Sequence, residues 1–149
     1  MLNKVNEIQL SYKEGFLTSH QTHIKCSKDA ADLLYQSFDK HTIAMNETFK
    51  VLLLNHANGV KGIYTHSNGG ITGTLVDIRI IFAVVLKSLS TSIILCHNHP
   101  SSNLKASTLD KELTRKIVKA ASYMDVKILD HIILSPAGNY LSFADESLI

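Results

Sequence analysis

The sequence is poor in cysteine, glycine and proline. Its two cysteines, Cys26 and Cys96, lie far apart and form no C-x-x-C pair, which excludes a zinc site built on cysteine ligands. Isolated thiols of this kind are typical of a reducing compartment, where disulfides are rare. No low-complexity run is present, and 45% of the residues are apolar, so the composition indicates a globular chain rather than a disordered one.

Long apolar runs and an excess of one charge are also missing. The most apolar run, residues 78–89, is too short and too charged to span a bilayer, and residues 1–16 lack the continuous apolar stretch of a signal peptide. A net charge of +2 with scattered lysines and arginines provides no basic stripe for a phosphate backbone. We therefore expect a cytoplasmic protein without a membrane partner, and charge gives no support for direct nucleic-acid binding.

The length and the residue pattern predict one α/β domain over residues 1–149. Alternating apolar residues predict a strand within residues 7–12, in an N-terminal strand and loop extension over residues 1–25. The order β-α-β-β-α-β-α-β-β then predicts a mixed β-sheet covered by helices. The later landmarks are a helix after Ser27, strands on either side of the turn NHANG, a broadly apolar helix after Asp77, a strand at Ser92–Cys96, a helix opened by Ser107, the strand VKILDHIIL and an edge strand in the tail. The apolar stripe of the helix after Asp77 is so broad that we expect this helix to be buried over much of its surface.

The stretch LCHNHPSSNLKASTLD, residues 95–110, carries the most informative pattern. Because successive side chains of a strand alternate between faces, His97 and His99 point the same way at a strand end. Ser107 is the N-cap of the next helix, and Asp110 lies in its first turn, where a carboxylate can reach back over that strand end. Two histidines and one carboxylate leave the fourth position of a zinc ion open, as in catalytic zinc sites.

The same residues have a structural interpretation. Ser-x-x-Asp is also a loose form of the capping box, with the acidic residue favoured by the helix dipole. A lone histidine pair at a strand end faces solvent at least as often as it binds metal. The two patterns occur together across one polar loop, which favours a metal site, and both interpretations are compatible because Ser107 and Asp110 can serve in both.

These residues resemble the complete JAMM signature of MPN-type metalloproteases, with His-Asn-His-Pro at 97–100 and Ser-x-x-Asp at 107–110. The flanking text resembles the bacterial RadC family over essentially residue 5 to the C-terminus, through FKVLLLN, GGITGTLVD, IILCHNHPSSN, ILDHIIL and YLSFADE. The resemblance implies an MPN/JAB domain whose layered α/β architecture is like that of the cytidine deaminases. RadC proteins often carry an N-terminal helix-hairpin-helix region, which we do not expect in this chain.

The resemblance also implies a set of roles. It requires an upstream glutamate, and Glu47 in NETFKVLLLN occupies that place. It implies that Zn²⁺ is held by His97, His99 and Asp110, that Glu47 is the general base, and that Ser107 helps to stabilise a tetrahedral oxyanion. The implied reaction is hydrolysis of an amide, peptide or isopeptide bond in a peptide or protein substrate. The structural alternative for Glu47 is a solvated residue at the start of a strand.

Other functions share parts of this pattern. HNH nucleases spread their three residues over separate elements, whereas here the residues are consecutive. Zinc deaminases need H-x-E and a distal P-C-x-x-C, which two isolated cysteines cannot supply. RadC proteins are traditionally described as DNA-repair factors, so the second hypothesis is a non-catalytic accessory protein with DNA-repair protein partners. The intact ligand set together with Glu47 favours the enzyme, and the oligomeric state stays open.

Two features have no assigned role. Asp130-His131 is compatible with a layer behind the metal ligands, but a histidine within an apolar strand is more often a satisfied structural residue. Arg79 lies near a helix N-terminus, where the dipole disfavours a cation. It is therefore compatible with an anion site, although a solvated first-turn residue is more common.

Overall fold

The computed structural model describes residues 6, 9, 11–13, 15, 21–70, 73 and 75–149. Ile8 and Leu10, on which the predicted N-terminal strand depends, lie outside these residues. In the described part of the chain, no helix is long and apolar enough to cross a membrane. The helices and strands are α1 (Ser27–Ser37), β1 (Thr48–Leu54), β2 (Val60–Asn68), α2 (Ile78–Lys87), β3 (Ser92–Asn98), α3 (Thr108–Ser122), β4 (Lys127–Leu134) and β5 (Tyr140–Ser142).

The strands form one five-stranded sheet in the order β2-β1-β3-β4-β5. β3 and β4 are parallel and are connected through α3, whereas the other neighbouring pairs are antiparallel. A parallel pair needs a crossover connection of this kind, because a tight turn can join only antiparallel strands. The prediction of a mixed sheet covered by helices is confirmed.

The central strands are buried on both faces of the sheet. Every residue of β3 is buried, as expected for a strand covered by helices on either side. Side chains such as Leu52 and Cys96 pack on the α1 side, so Cys96 points away from the candidate ligands. The alternating residues, such as Val51 and Leu95, pack against α2 and α3. By the same alternation, the side chain of His97 emerges on the α2 and α3 side.

Helix α2 is buried on one side only. Ile81, Phe82 and Val85 are buried, but Leu86 is 49% exposed, and Leu89, which follows the helix, is 55% exposed. The broad apolar stripe predicted a helix buried over much of its surface, and that prediction is wrong. The reason is geometric, because a helix lying on one face of a sheet covers only the stripe that it turns towards the sheet.

The C-terminal tail is anchored by a buried carboxylate. Asp130 of β4 accepts hydrogen bonds from the Ser142 hydroxyl at 2.6 Å and from the backbone N–H groups of Ala144 and His131 at 3.0 and 2.7 Å. Burial raises the pKa of Asp130, while these bonds act in the opposite direction. Asp130 therefore fastens the edge strand to the sheet, on the face opposite to His131.

Candidate metal centre

The centre lies where β3 ends. His97 is buried within β3, and His99 is the first residue after the end of the strand. The backbone N–H of His99 donates to the carbonyl of Leu134 at 2.8 Å. Asp110 is brought to the same point by the first turn of α3. The structure therefore brings together the three residues that the sequence predicts as ligands, and each offers one ligand atom within 4.8 Å of the others.

The ligand atoms face one another closely. The Nε2 atoms of His97 and His99 lie 3.0 Å apart. The Asp110 carboxylate lies 3.2 Å from Nε2 of His97 through Oδ1 and 3.7 Å from Nε2 of His99 through Oδ2. Two nitrogen ligands of a tetrahedral zinc ion with bonds of about 2.0–2.1 Å are about 3.3 Å apart. The spacing of the imidazoles is thus close to what such an ion requires.

The hydrogen bond behind His99 leaves its inner nitrogen free for a cation. Nδ1 of His99 lies 2.5 Å from the carbonyl oxygen of Asn103. A carbonyl can only accept, so Nδ1 carries the proton and Nε2 of the neutral ring presents a lone pair. This lone pair points towards the carboxylate of Asp110, which also only accepts. A metal cation satisfies such a group of acceptors, so the donor set fits Zn²⁺.

The charge of Asp110 is well supported. Burial by itself would raise the pKa of its carboxyl, but the nearby imidazoles of His97 and His99 and the hydrogen bond from the Ser107 hydroxyl hold that pKa well below its usual range. The same contact with Asp110 raises the pKa of His99, against the effect of burial. The carboxylate therefore remains ionised across the physiological range, the form in which it can ligate a metal.

Ser107 and Asp110 form the capping box that the sequence predicts. The backbone N–H and the hydroxyl of Ser107 donate to Oδ2 of Asp110 at 2.7 and 2.6 Å, and the backbone N–H of Asp110 donates to the Ser107 hydroxyl at 3.0 Å. These bonds fix the rotamer of Asp110 while its Oδ1 faces His97. Capping and metal ligation are thus compatible in this geometry.

Glu47 lies immediately before β1 and is held by its backbone. Its carbonyl accepts from the N–H of Gly69 at 2.7 Å, and its N–H donates to the carbonyl of Gly70 at 3.3 Å. Met45 is 63% exposed in the turn before the strand, and the buried residues of β1 begin at Phe49. The Glu47 carboxylate makes no hydrogen bond or ion pair with any described residue.

A cleft of about 560 Å³ connects Glu47 with the centre. Its walls include the start of β1 and the beginning of α3, and the candidate ligands also border it. The residues that line it are Glu47, Phe49, Gly73, Val76, His97, His99, Ser107, Leu109, Asp110, Glu112, Leu113 and Lys116. All five residues that the sequence predicts for the site therefore border one cavity.

Asn98 has no predicted role, yet its side chain fixes the segment around Glu47. Its Nδ2 donates to the carbonyls of Ile43 and Asn46 at 2.7 and 3.0 Å, and its Oδ1 accepts from the N–H of Thr48 at 2.7 Å. The bonds on either side of Glu47 tie the start of β1 to the strand that carries the histidines. The available signal in the sequence was an amide side chain next to His97, at the end of a strand that is buried throughout.

His131 lies directly behind His97 and is completely buried. Its Nε2 is 2.8 Å from Nδ1 of His97. It is outside the ligand group, as predicted, but it contacts a ligand and is not only a structural residue of the strand. Burial, together with the neighbouring His97, holds the pKa of His131 well below its usual value, so its ring is neutral.

Arg79 belongs to the first turn of α2 and is solvent-exposed. Its guanidinium donates to the Asp77 carboxylate, with Nη2 and Oδ2 2.8 Å apart. Asp77 is the N-cap of α2, and its hydrogen bond from Arg79 lowers its pKa to about 2. The more common interpretation, a solvated first-turn residue, is therefore the one that the structure supports.

The sequence matches known proteins over most of its length. The family model described as "RadC-like JAB domain" matches residues 24–148. A UPF0758 protein of Flavobacterium johnsoniae is 43% identical over 125 residues, which is 84% of this chain and 53% of that protein. A UPF0758 protein of Salinibacter ruber is 33% identical over 129 residues, 85% of this chain and 52% of that protein. The chain spans about half the length of these curated relatives, and it belongs to the RadC-like JAB domain family.

Proposed function

We propose that this domain is a zinc-dependent hydrolase of amide, peptide or isopeptide bonds. The observation that carries the proposal is the convergence of His97, His99 and Asp110 on one point, in a cleft that also holds the carboxylate of Glu47, which pairs with none of the residues that the structure describes. A structural ion needs neither an accessible position nor a nearby base. The combination favours a catalyst over a non-catalytic DNA-repair accessory protein.

His97, His99 and Asp110 hold the ion in this proposal. When bound, Zn²⁺ would supply a Lewis acid that lowers the pKa of a nearby water to about 7 and polarises a carbonyl. The protein contributes a rigid setting, since His97 is buried in β3 and Asp110 is fixed by the capping box. Rigid placement of reacting groups accounts for a substantial part of enzymatic rate enhancement.

Glu47 is the proposed general base. Its carboxylate accepts a proton from the attacking water and later delivers that proton to the leaving amine. The Ser107 hydroxyl borders the same cleft at the N-terminus of α3, where the helix dipole favours negative charge. In this proposal the hydroxyl turns away from Asp110, to which it donates in the structure, and donates to the oxygen of the attacked carbonyl as negative charge develops there.

The substrate in this proposal is a peptide or protein that enters from the α3 side of the cleft. Leu109 and Leu113 supply apolar surface there, beside the charged side chains of Glu112 and Lys116. Both Cys26 and Cys96 are free thiols, which supports a cytoplasmic location. DNA-repair protein partners remain part of the second hypothesis.

The test is a peptide and isopeptide library assayed with zinc-loaded protein, with and without chelator. We expect chelator-sensitive cleavage that Glu47→Gln lowers by about 10²–10⁴-fold while zinc content is retained. An exposed-residue variant such as Glu146→Gln serves as the matched control and keeps full activity. If zinc binds but no member of the library is cleaved in a chelator-sensitive way, the accessory hypothesis is favoured instead.

A further inference from the structure

We propose that Thr114 and His131 are positioning residues that determine which nitrogen of His97 is available to a metal. The inference rests on the proposed metal site and adds to it a directed hydrogen-bond chain. The chain runs from the backbone carbonyl of Asp110 through Thr114 and His131 to His97. Its polarity leaves Nε2 of His97 unprotonated and facing the other two ligands.

The first hydrogen bond, from Thr114 to Asp110, determines the donor and acceptor of every later bond in the hydrogen-bond chain. The hydroxyl oxygen of Thr114 lies 2.6 Å from the carbonyl oxygen of Asp110. A carbonyl has no proton to donate, so the single hydroxyl proton of Thr114 is committed to it. Two oxygens at this distance without a proton between them would repel each other.

The following bonds then have only one possible polarity. Oγ1 of Thr114 is 2.6 Å from Nδ1 of His131, and with its own proton committed it can only accept, so Nδ1 of His131 donates. The His131 ring is fully buried and hydrogen-bonds Thr114 and His97 rather than a carboxylate, so it is neutral. Its Nε2 is then an acceptor, and Nδ1 of His97 must donate to it across 2.8 Å. The lone pair of His97 is left on Nε2, the atom that lies 3.0 Å from Nε2 of His99.

Burial prevents water from replacing any member of this chain. Thr114 and His97 are each 1% exposed and His131 is 0% exposed. The His131 ring is confined by Phe143, with ring centroids 4.7 Å apart, and by Phe49, at 5.8 Å. Because a buried polar group without a partner is costly, the protein cannot easily adopt a different proton arrangement.

The hydrogen-bond chain also links Asp110 to His97. The Thr114 hydroxyl donates to the backbone carbonyl of Asp110, the residue four positions earlier on α3 that supplies the carboxylate ligand. A shift of α3 against β4 would therefore disturb both Asp110 and the tautomer of His97. Hydrogen bonds behind metal-ligating histidines are commonly worth about 10–100-fold in metal affinity.

The closing experiment compares Thr114→Val with Thr114→Ser. Valine keeps the shape of threonine and removes the hydroxyl, whereas serine keeps the hydroxyl. Zinc affinity is measured by competition with a chelating dye, and denaturant unfolding of the metal-free proteins verifies that each variant is folded. We expect Thr114→Val to bind zinc about 10–100-fold more weakly than wild type and Thr114→Ser to bind within about threefold.

Two further measurements test the same inference without relying on Thr114→Val. His131→Phe removes both ring nitrogens and should lose affinity, whereas His131→Gln offers one acceptor and one donor and should recover part of it. Long-range ¹H–¹⁵N spectra of the zinc-loaded wild type should place the protons of His97 and His131 on Nδ1. General destabilisation of a variant can lower its zinc affinity, but it has no bearing on which ring nitrogens carry the protons in the wild type.

The outcomes separate this inference from the proposed function. If the wild-type protein binds no zinc, the metal site itself is refuted. If the wild type binds zinc and Thr114→Val binds it equally tightly, the positioning role is overturned. A proton on Nε2 of His131 in the zinc-loaded protein overturns it as well, whatever the variants show.

Discussion

Replacing Asn98 with alanine should destabilise the domain strongly, because one side chain satisfies three backbone groups. The change removes the bonds to the carbonyls of Ile43 and Asn46 and from the N–H of Thr48. A buried polar group left without a partner costs about 1–3 kcal/mol. Ile43 is buried, but Asn46 and Thr48 are only partly so, and water can replace part of their loss. We therefore expect the free energy of unfolding to fall by about 3 kcal/mol.

Urea unfolding of metal-free protein measures this loss without a contribution from bound zinc. With an m-value of about 2 kcal/mol/M, the midpoint should fall by about 1.5 M. Asn68→Ala is the matched control, because Asn68 is exposed and accepts one bond from the Thr48 hydroxyl. Exposed substitutions of this kind usually change stability by less than about 0.5 kcal/mol. If Asn98→Ala lost no more stability than Asn68→Ala, Asn98 would not hold the segment that carries Glu47.

Four further outcomes follow from the site and its surroundings. Glu47→Gln should lower chelator-sensitive cleavage by about 10²–10⁴-fold with unchanged zinc content, as measured by turnover and elemental analysis. Asp110→Asn should instead weaken zinc binding itself, which dye competition detects. Because the core is large and the site is catalytic in type, circular dichroism should show that the metal-free protein stays folded. His66 accepts the N–H of Asp77 at 2.9 Å, and burial lowers its pKa. The unfolded chain therefore binds more protons below about pH 6.5, so this contribution to stability is present above that pH and is lost as the pH falls. Urea unfolding between pH 5 and 8 should show a shallower pH dependence for His66→Gln than for wild type.

The parts of the fold that were predictable are those encoded locally. The alternation along β3 placed His97 and His99 on one side, and the Ser-x-x-Asp pattern produced the capping box of Ser107 and Asp110. Both signals need only strand and helix periodicity. The mixed sheet followed from the order of the elements.

The contacts behind the ligands depend on register and could not be predicted in this way. His131 reaches His97 because β3 and β4 pair in parallel, with a register shift between Ile93 and Ile94. A pairing one residue different would place His131 on the other face of the sheet. The bonds of Asn98 to the turn before β1 are equally non-local, so the sequence shows a buried polar residue without showing its partners.

The amount of zinc per chain tests the central claim most directly. The account predicts nearly one zinc ion per purified wild-type chain and almost none when His97→Ala and His99→Ala are combined. The exposed histidines His41 and His56 provide the matched control, and replacing both with alanine should leave the zinc content unchanged. Full zinc content in the His97 and His99 double variant, or none in the wild-type protein, would contradict the account.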